Sequence, residues 1–153
     1  MINASLSVLL VEDNQDDATL FRMALAKLNL PVKLHIAWDG MEGRDYLKGI
    51  GQYQDRPLHP FPDLVLLDLN MPRLNGLELL QWIRQDSECR HLLVHVLSAS
   101  SRRVDICSAY ELGANSYAVK PSRSDELAAL IHGLITFHKF VCLPQRKAKP
   151  VMA

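Results

Sequence analysis

The sequence predicts an α/β protein built on a doubly wound parallel sheet, and three observations carry that reading. Five short apolar runs alternate with segments whose apolar residues recur at helical spacing, and strands separated by helices imply right-handed parallel crossover units. The run Leu64-Val65-Leu66-Leu67 is continuously apolar between Asp63 and Asp68, as expected of a strand buried on both faces by helices. Finally, the runs end in polar residues: Glu12-Asp13, Asp68, Ser98 and Lys120. Parallel strands place all such ends along the one edge where open α/β sheets bind ligands.

Each element follows in order. Residues 6–11 are the first strand, and residues 16–28 a helix with Ala18, Phe21, Leu25 and Leu28 on one side. Asp16 and Asp17 suit the positive end of that helix, and Pro31 stops it. Residues 32–37 form the second strand, and residues 41–50 a helix that Gly49 and Gly51 close. The turn-rich stretch 52–62, with Pro57, Pro60 and Pro62, reads as an inserted exposed loop, either functional or tolerated. Residues 64–68 are the central strand. A helix at 77–85, a strand at 92–97, a helix at 102–112, a strand at 116–119 and a last helix at 124–140 complete the alternation.

Composition narrows the function. At 153 residues, 48% of them hydrophobic, the chain fits one domain with an ordinary core and leaves no room for a second. Its 17 basic and 17 acidic residues cancel, so no overall positive field draws in nucleic acid or a membrane surface. No apolar run approaches the ~18 residues of a membrane span, and the start lacks the basic flank of an export signal. Cys89, Cys107 and Cys142 are odd in number and widely spaced, which suits reduced thiols in the cytoplasm.

A turn or cap role would account for each strand-end residue singly. It does not account for three acids, a hydroxyl and a lysine on one edge. Three close carboxylates repel and call for a cation. Mg²⁺ fits, since it takes one or two carboxylates and leaves positions for phosphoryl oxygens. Asp13 and Asp68 are the expected direct ligands, with the backbone carbonyl of Asn70 as a third and Glu12 acting through water. Zinc would prefer His or Cys, and none stands beside these acids. A carboxylate beside Mg²⁺ can itself attack phosphorus and form an aspartyl phosphate, a reaction that needs mainly positioning and charge neutralisation. Asp68, central on the third strand, is the expected phosphoacceptor. Lys120, held extended before Pro121, offers a compact cation to one phosphoryl oxygen, and Ser98 a hydrogen bond to another.

Taken together, Val8-Leu9-Leu10-Val11-Glu12-Asp13-Asn14, residues 63–72, Gly76, Val96-Leu97-Ser98-Ala99 and residues 113–121 give a chain that resembles the receiver domain of two-component response regulators. The resemblance covers residues 6–140. It implies a flavodoxin-like sheet of five strands in the order 2-1-3-4-5, with five helices and a receiver domain over residues 5–142 followed by a flexible tail at 143–153. It also implies phosphorylation of Asp68 by a sensor histidine kinase and a switch in which Ser98 turns to the phosphoryl group and Tyr117 swings inward. The protein would then signal through altered protein contacts without being an enzyme, and a histidine phosphotransfer protein is a further partner the pattern allows. The positions that tune loss of the phosphate would be Asn70 and Ser100. The lengthened segment before the third strand and the opening Glu12-Asp13-Asn14-Gln15-Asp16-Asp17 are similar to the stand-alone receivers that pair with bacterial phytochrome kinases.

Three other readings compete. A nucleotide or flavin carrier needs a glycine- or hydroxyl-rich phosphate loop after the first strand, where this chain has acids. A receiver-like interaction domain that never takes phosphate would not need the complete set of acids, hydroxyl and lysine. An aspartyl-phosphate phosphatase wants a second acid two residues after Asp68, where Asn70 stands.

Other features are secondary. The last helix carries one apolar row at Leu127, Ile131, Leu134 and His138 and a second at Leu130, Phe137 and Val141 with Phe140 alongside. A covered second face, hence a homodimer through this helix or the neighbouring fourth helix and fifth strand, is expected. His91 and His95 are expected on one strand face and, with His132 and His138, as ordinary histidines lacking ligand spacing. Arg146, Lys147 and Lys149 read as solvation of the tail.

Overall fold

The structure, a computed structural model, describes residues 5–144. Its elements run β1 Leu6–Val11, α1 Gln15–Leu28, β2 Val32–Ala37, α2 Gly40–Lys48, a short 3-10 helix Gly51–Tyr53, β3 Leu64–Leu67, α3 Gly76–Gln85, β4 Leu93–Ser98, α4 Arg103–Glu111, β5 Ser116–Val119 and α5 Ser124–His138. The five strands form one sheet in the order β2-β1-β3-β4-β5, and every pairing is parallel. This is the flavodoxin-like arrangement expected from the sequence.

Alternation along the strands divides the core between the two faces of the sheet. Leu9, Val11, Val65, Leu67, Val94 and Val96 pack against Leu79, Leu80 and Ile83 of α3 and Ala109 of α4. Val8, Leu10, Leu64, Leu66 and Leu97 pack against Phe21 of α1 and Leu127, Ile131 and Ile135 of α5. Central β3 is buried at all four positions, which is why its sequence shows no alternation.

Side-chain caps fix the starts of α1, α2 and α3. Asn14 accepts hydrogen bonds from the Asp16 and Asp17 amides at 2.9 and 3.0 Å, Asp39 from Glu42 at 2.9 Å, and Asn75 from Glu78 at 3.0 Å; each satisfies an amide that the first turn leaves unpaired.

Several expectations need correction. The last helix ends at His138, short of residue 140. Within it Ile135 is the fully buried residue where Leu134 was expected, and Leu130 and Leu134 are both half-buried against the core. The exposed apolar side chains left near its end are Phe137 and Phe140. His91 lies in the turn before β4, which begins at Leu93, so it shares no strand face with His95. Nor is the 52–62 insertion a loose loop. Tyr53 is buried, its ring meets Tyr46 at a tilt and His59 edge-on, and Arg56 donates to the carbonyls of Tyr46, Leu47 and His59 at 2.8, 2.7 and 3.1 Å. The guanidinium thereby bonds two carbonyls of the last turn of α2, Leu47 O and Tyr46 O, the latter shared with the Gly49 amide. Of the tail, residues 145–153, including the basic cluster Arg146, Lys147 and Lys149, lie outside the described residues.

Candidate functional site

Strand register builds the site. Val11 of β1 pairs with Ala37 on one side and Leu67 on the other, Leu67 with Val96, and Ser98 with Val119. The strands therefore stop nearly in line, and the residues just beyond them stand together. Main-chain bonds continue past the ends: Glu12 N–H donates to Ala37 O at 3.0 Å, Asp68 N–H to Val11 O at 3.0 Å and Lys120 N–H to Ser98 O at 2.8 Å. The backbones carrying these side chains are thus held by the sheet ladder itself.

Glu12, Asp13 and Asp68 each present a carboxylate oxygen within 4.8 Å of the other two. Glu12 and Asp68 are buried and Asp13 is exposed. Across from them Lys120 Nζ lies 2.6 Å from Glu12 Oε2, 2.9 Å from Asp17 Oδ2 and 3.7 Å from Asp68 Oδ2. Ser98 is fully buried, and its Oγ accepts a hydrogen bond from Ser100 N–H at 3.2 Å. Ser100 Oγ donates in turn to Asp105 of α4 at 2.5 Å. Tyr117 is half-buried against the α3–α4 face of the core, and its hydroxyl donates to Ser100 O at 2.8 Å.

Burial sets the electrostatics. Glu12 is pushed up to about 7, first by desolvation and further by the charge of Asp68, although its bond to Lys120 pulls the other way. Asp68 is raised by burial despite Lys120 and the amides of Asn70 and Leu69. For Lys120 burial acts downward, but the bond to Glu12, the charge of Asp68 and the bond to Asp17 outweigh it and raise the ammonium above its ordinary value. Two buried carboxylates still resist ionisation with a lysine beside them, so the pocket is short of positive charge. A hard divalent ion would supply that charge, and all-oxygen donors of this kind suit Mg²⁺ or a similar cation.

Glycines shape the rear of the pocket. A Cβ on Gly76, at the start of α3, would collide with the backbone oxygen of Asp68 and sit 2.7 Å from Leu69 Cα. Gly40 stands equally close to the backbone of Leu74. The β3–α3 loop between them turns through Arg73, at φ 64°, whose guanidinium binds the Asp39 carboxylate from two nitrogens.

The structure thus brings Glu12, Asp13, Asp68, Ser98 and Lys120 to one edge, and ties Tyr117 to the loop after Ser98. Asn70 is exposed just beyond, with its amide bonded toward Asp68. Asp17 is the site residue that the sequence reading missed. Its place three residues after the cap Asn14 and five after Glu12 was the available signal, but the acid was assigned wholly to the helix terminus.

A family model for the response regulator receiver domain matches residues 8–132. The chain belongs to the response regulator receiver family. Among curated proteins this receiver is 33% identical to response regulator Rcp1 of Synechocystis sp. over 85% of its own length and 86% of that protein. It is also 35% identical to a probable methanogenesis regulatory protein, FilR2, of Methanothrix harundinacea, over 78% and 75%. Among solved structures it superposes on a response regulator in red light signaling of R. palustris with a TM-score of 0.86 at 36% identity, covering 92% of this chain and 99% of that one. It superposes equally well, at a TM-score of 0.86 and 36% identity over 93% and 100%, on the phosphorylated cyanobacterial phytochrome response regulator RcpA. The Mn²⁺-bound form of Rcp1 aligns with a TM-score of 0.82 at 33% identity, over 92% and 99%. Receivers linked to phytochromes are therefore among its near relatives.

Proposed function

We propose that this receiver accepts a phosphoryl group on Asp68 from a sensor histidine kinase, with Mg²⁺ bound, and signals by changing its protein contacts. The observation that carries the reading is the meeting of Glu12, Asp13, Asp68 and Lys120 at one sheet edge. An Oδ of Asp68 forms the new bond to phosphorus as the bond from phosphorus to the kinase imidazole breaks, and the leaving imidazole keeps the electron pair. Asp13, Asp68 and the Asn70 carbonyl would hold the Mg²⁺ directly and Glu12 through water. When bound, the ion supplies charge neutralisation for the carboxylates and the phosphoryl oxygens. Lys120 binds one phosphoryl oxygen and Ser98 another.

Turning to the phosphoryl group takes Ser98 Oγ away from the Ser100 amide. Because Tyr117 is bonded to Ser100 O, the loop, the ring and α4 respond together as a shift between two packings. Val104 and Tyr110 of α4 and Val119 of β5 are exposed, as are Phe137 in the last turn of α5 and Phe140 just beyond it, which supports a homodimer through α4 and β5 or through α5. Likeness to phytochrome-linked receivers supports a phytochrome as the kinase, and a histidine phosphotransfer protein is a second partner of the same chemistry. Balanced charge argues against nucleic acid. Among the described residues no helix is long and apolar enough to cross a membrane. Unpaired Cys89, Cys107 and Cys142 suit the cytoplasm. On this reading the protein is a signal carrier and not an enzyme. On the same reading residues 5–142 make up the receiver domain.

The test is incubation with Mg²⁺ and a small acyl phosphate, followed by intact mass. Wild type should gain one labile phosphoryl group, and Asp68→Asn none. An adduct of equal size on Asp68→Asn, or none on wild type, would refute the assignment.

A further inference from the structure

Lys120 makes its closest contacts with carboxylates other than that of Asp68. An ammonium has three N–H donors. Two are spent at 2.6 Å on Glu12 and 2.9 Å on Asp17, while Asp68 stands at 3.7 Å, beyond hydrogen-bond range. Asp17 does not come from the strand ends. It lies in the first turn of α1, where its own amide is pinned to Asn14 Oδ1 at 3.0 Å, so the cap sets its position and the flexible lysine stem comes to it.

The two partners differ in how readily they release the lysine. Glu12 is 2% exposed at its side chain and Asp17 35%. A carboxylate touching water is rehydrated when its cation leaves, whereas a buried one is stranded. Asp17 is thus the contact that can be given up when new acceptor oxygens arrive at Asp68.

We propose that Asp17 is a positioning residue that holds Lys120 back from the phosphoacceptor and yields it when Asp68 carries phosphoryl. This rests on the receiver function proposed above and adds to it a restraint set by α1. The restraint opposes phosphorylation, because the lysine must leave an ion pair before it can serve the phosphoryl oxygens. Removing the carboxylate should therefore improve binding of a phosphoryl mimic, an effect opposite in sign to that of structural damage.

The experiment is a titration of the full chain with beryllofluoride at saturating Mg²⁺, followed by ¹⁹F NMR. Asp17→Asn should bind about two- to fivefold more tightly than wild type, the range expected for a partly exposed ion pair. Asp17→Glu, which restores a carboxylate within reach of the lysine, should return toward wild type. Asp16→Asn removes the same charge from the same turn at an exposed position and should stay within about twofold of wild type, since that acid is left to screened long-range effects. Equal binding by Asp17→Asn and Asp16→Asn, or weaker binding by Asp17→Asn, overturns the inference and leaves the receiver function standing. Failure of wild type to take up beryllofluoride overturns both.

Discussion

At the level of single residues, the feature least expected from the sequence is a pair of imidazoles. His95 Nε2 of β4 meets His138 Nε2 of α5 at 2.8 Å, and His95 Nδ1 meets Ser116 Oγ of β5 at 2.6 Å. Both histidines are buried. Burial, and then His138, lowers His95 from 6.5 to about 4, and burial lowers His138 although the charge of Asp63 acts upward on it. In the unfolded chain His95 titrates near its ordinary value; in the native protein it stays neutral down to about 4. Between those values the unfolded chain takes up the proton and the native one does not. The contribution to stability is therefore full above the unfolded value and is lost as pH falls through the window, by roughly 3 kcal/mol when complete. Urea unfolding at pH 7.5 and pH 4.5 should show this loss in wild type and a smaller one in His95→Gln. Identical pH dependence in the two would mean that this pair does not carry the effect.

At the level of elements, the insertion before β3 works as a clamp on α2. Arg56→Ala removes three bonds to carbonyls and should destabilise the protein by about 2 kcal/mol, a typical figure for charged hydrogen bonds. A fall in the urea midpoint together with faster proteolysis within residues 52–62 would be the expected result; an unchanged midpoint would show that the clamp adds nothing. This segment also marks where reading the sequence stopped working. The five strands and five helices were legible because burial on both faces leaves β3 wholly apolar, and because α1 and α3 show helical periodicity beside good caps. Glu12, Asp13, Asp68, Ser98 and Lys120 were legible because parallel strands must end together. Arg56 was not, because an arginine among prolines has no periodicity to mark it. Asp17 and Lys120 are 103 positions apart, and His95 and His138 are 43 apart; nothing local distinguishes either pair from solvated charges or scattered histidines.

At the level of the whole molecule, large apolar side chains stay uncovered on both sides of the sheet, among them Val104 and Tyr110 of α4 and Met23 of α1. Phe137 and Phe140, three positions apart around the end of α5, are 60% and 84% exposed, apolar surface that a self-contact would cover. Sedimentation at micromolar protein should show a dimer that beryllofluoride strengthens. Phe137→Ser with Phe140→Ser should shift it to monomer without lowering thermal stability, since neither ring is in the core. Monomer alone in wild type, with and without beryllofluoride, would rule this surface out as a self-contact. The close approach of Gly76 to the Asp68 main chain has a mechanical consequence for all of this. With the start of α3 this near the peptide behind Asp68, any side chain at position 76 would push helix and strand apart. If Asp68 takes the phosphoryl group as proposed, the rearrangement has a bonded route through Ser98 and Ser100 to Tyr117 and to Asp105 of α4.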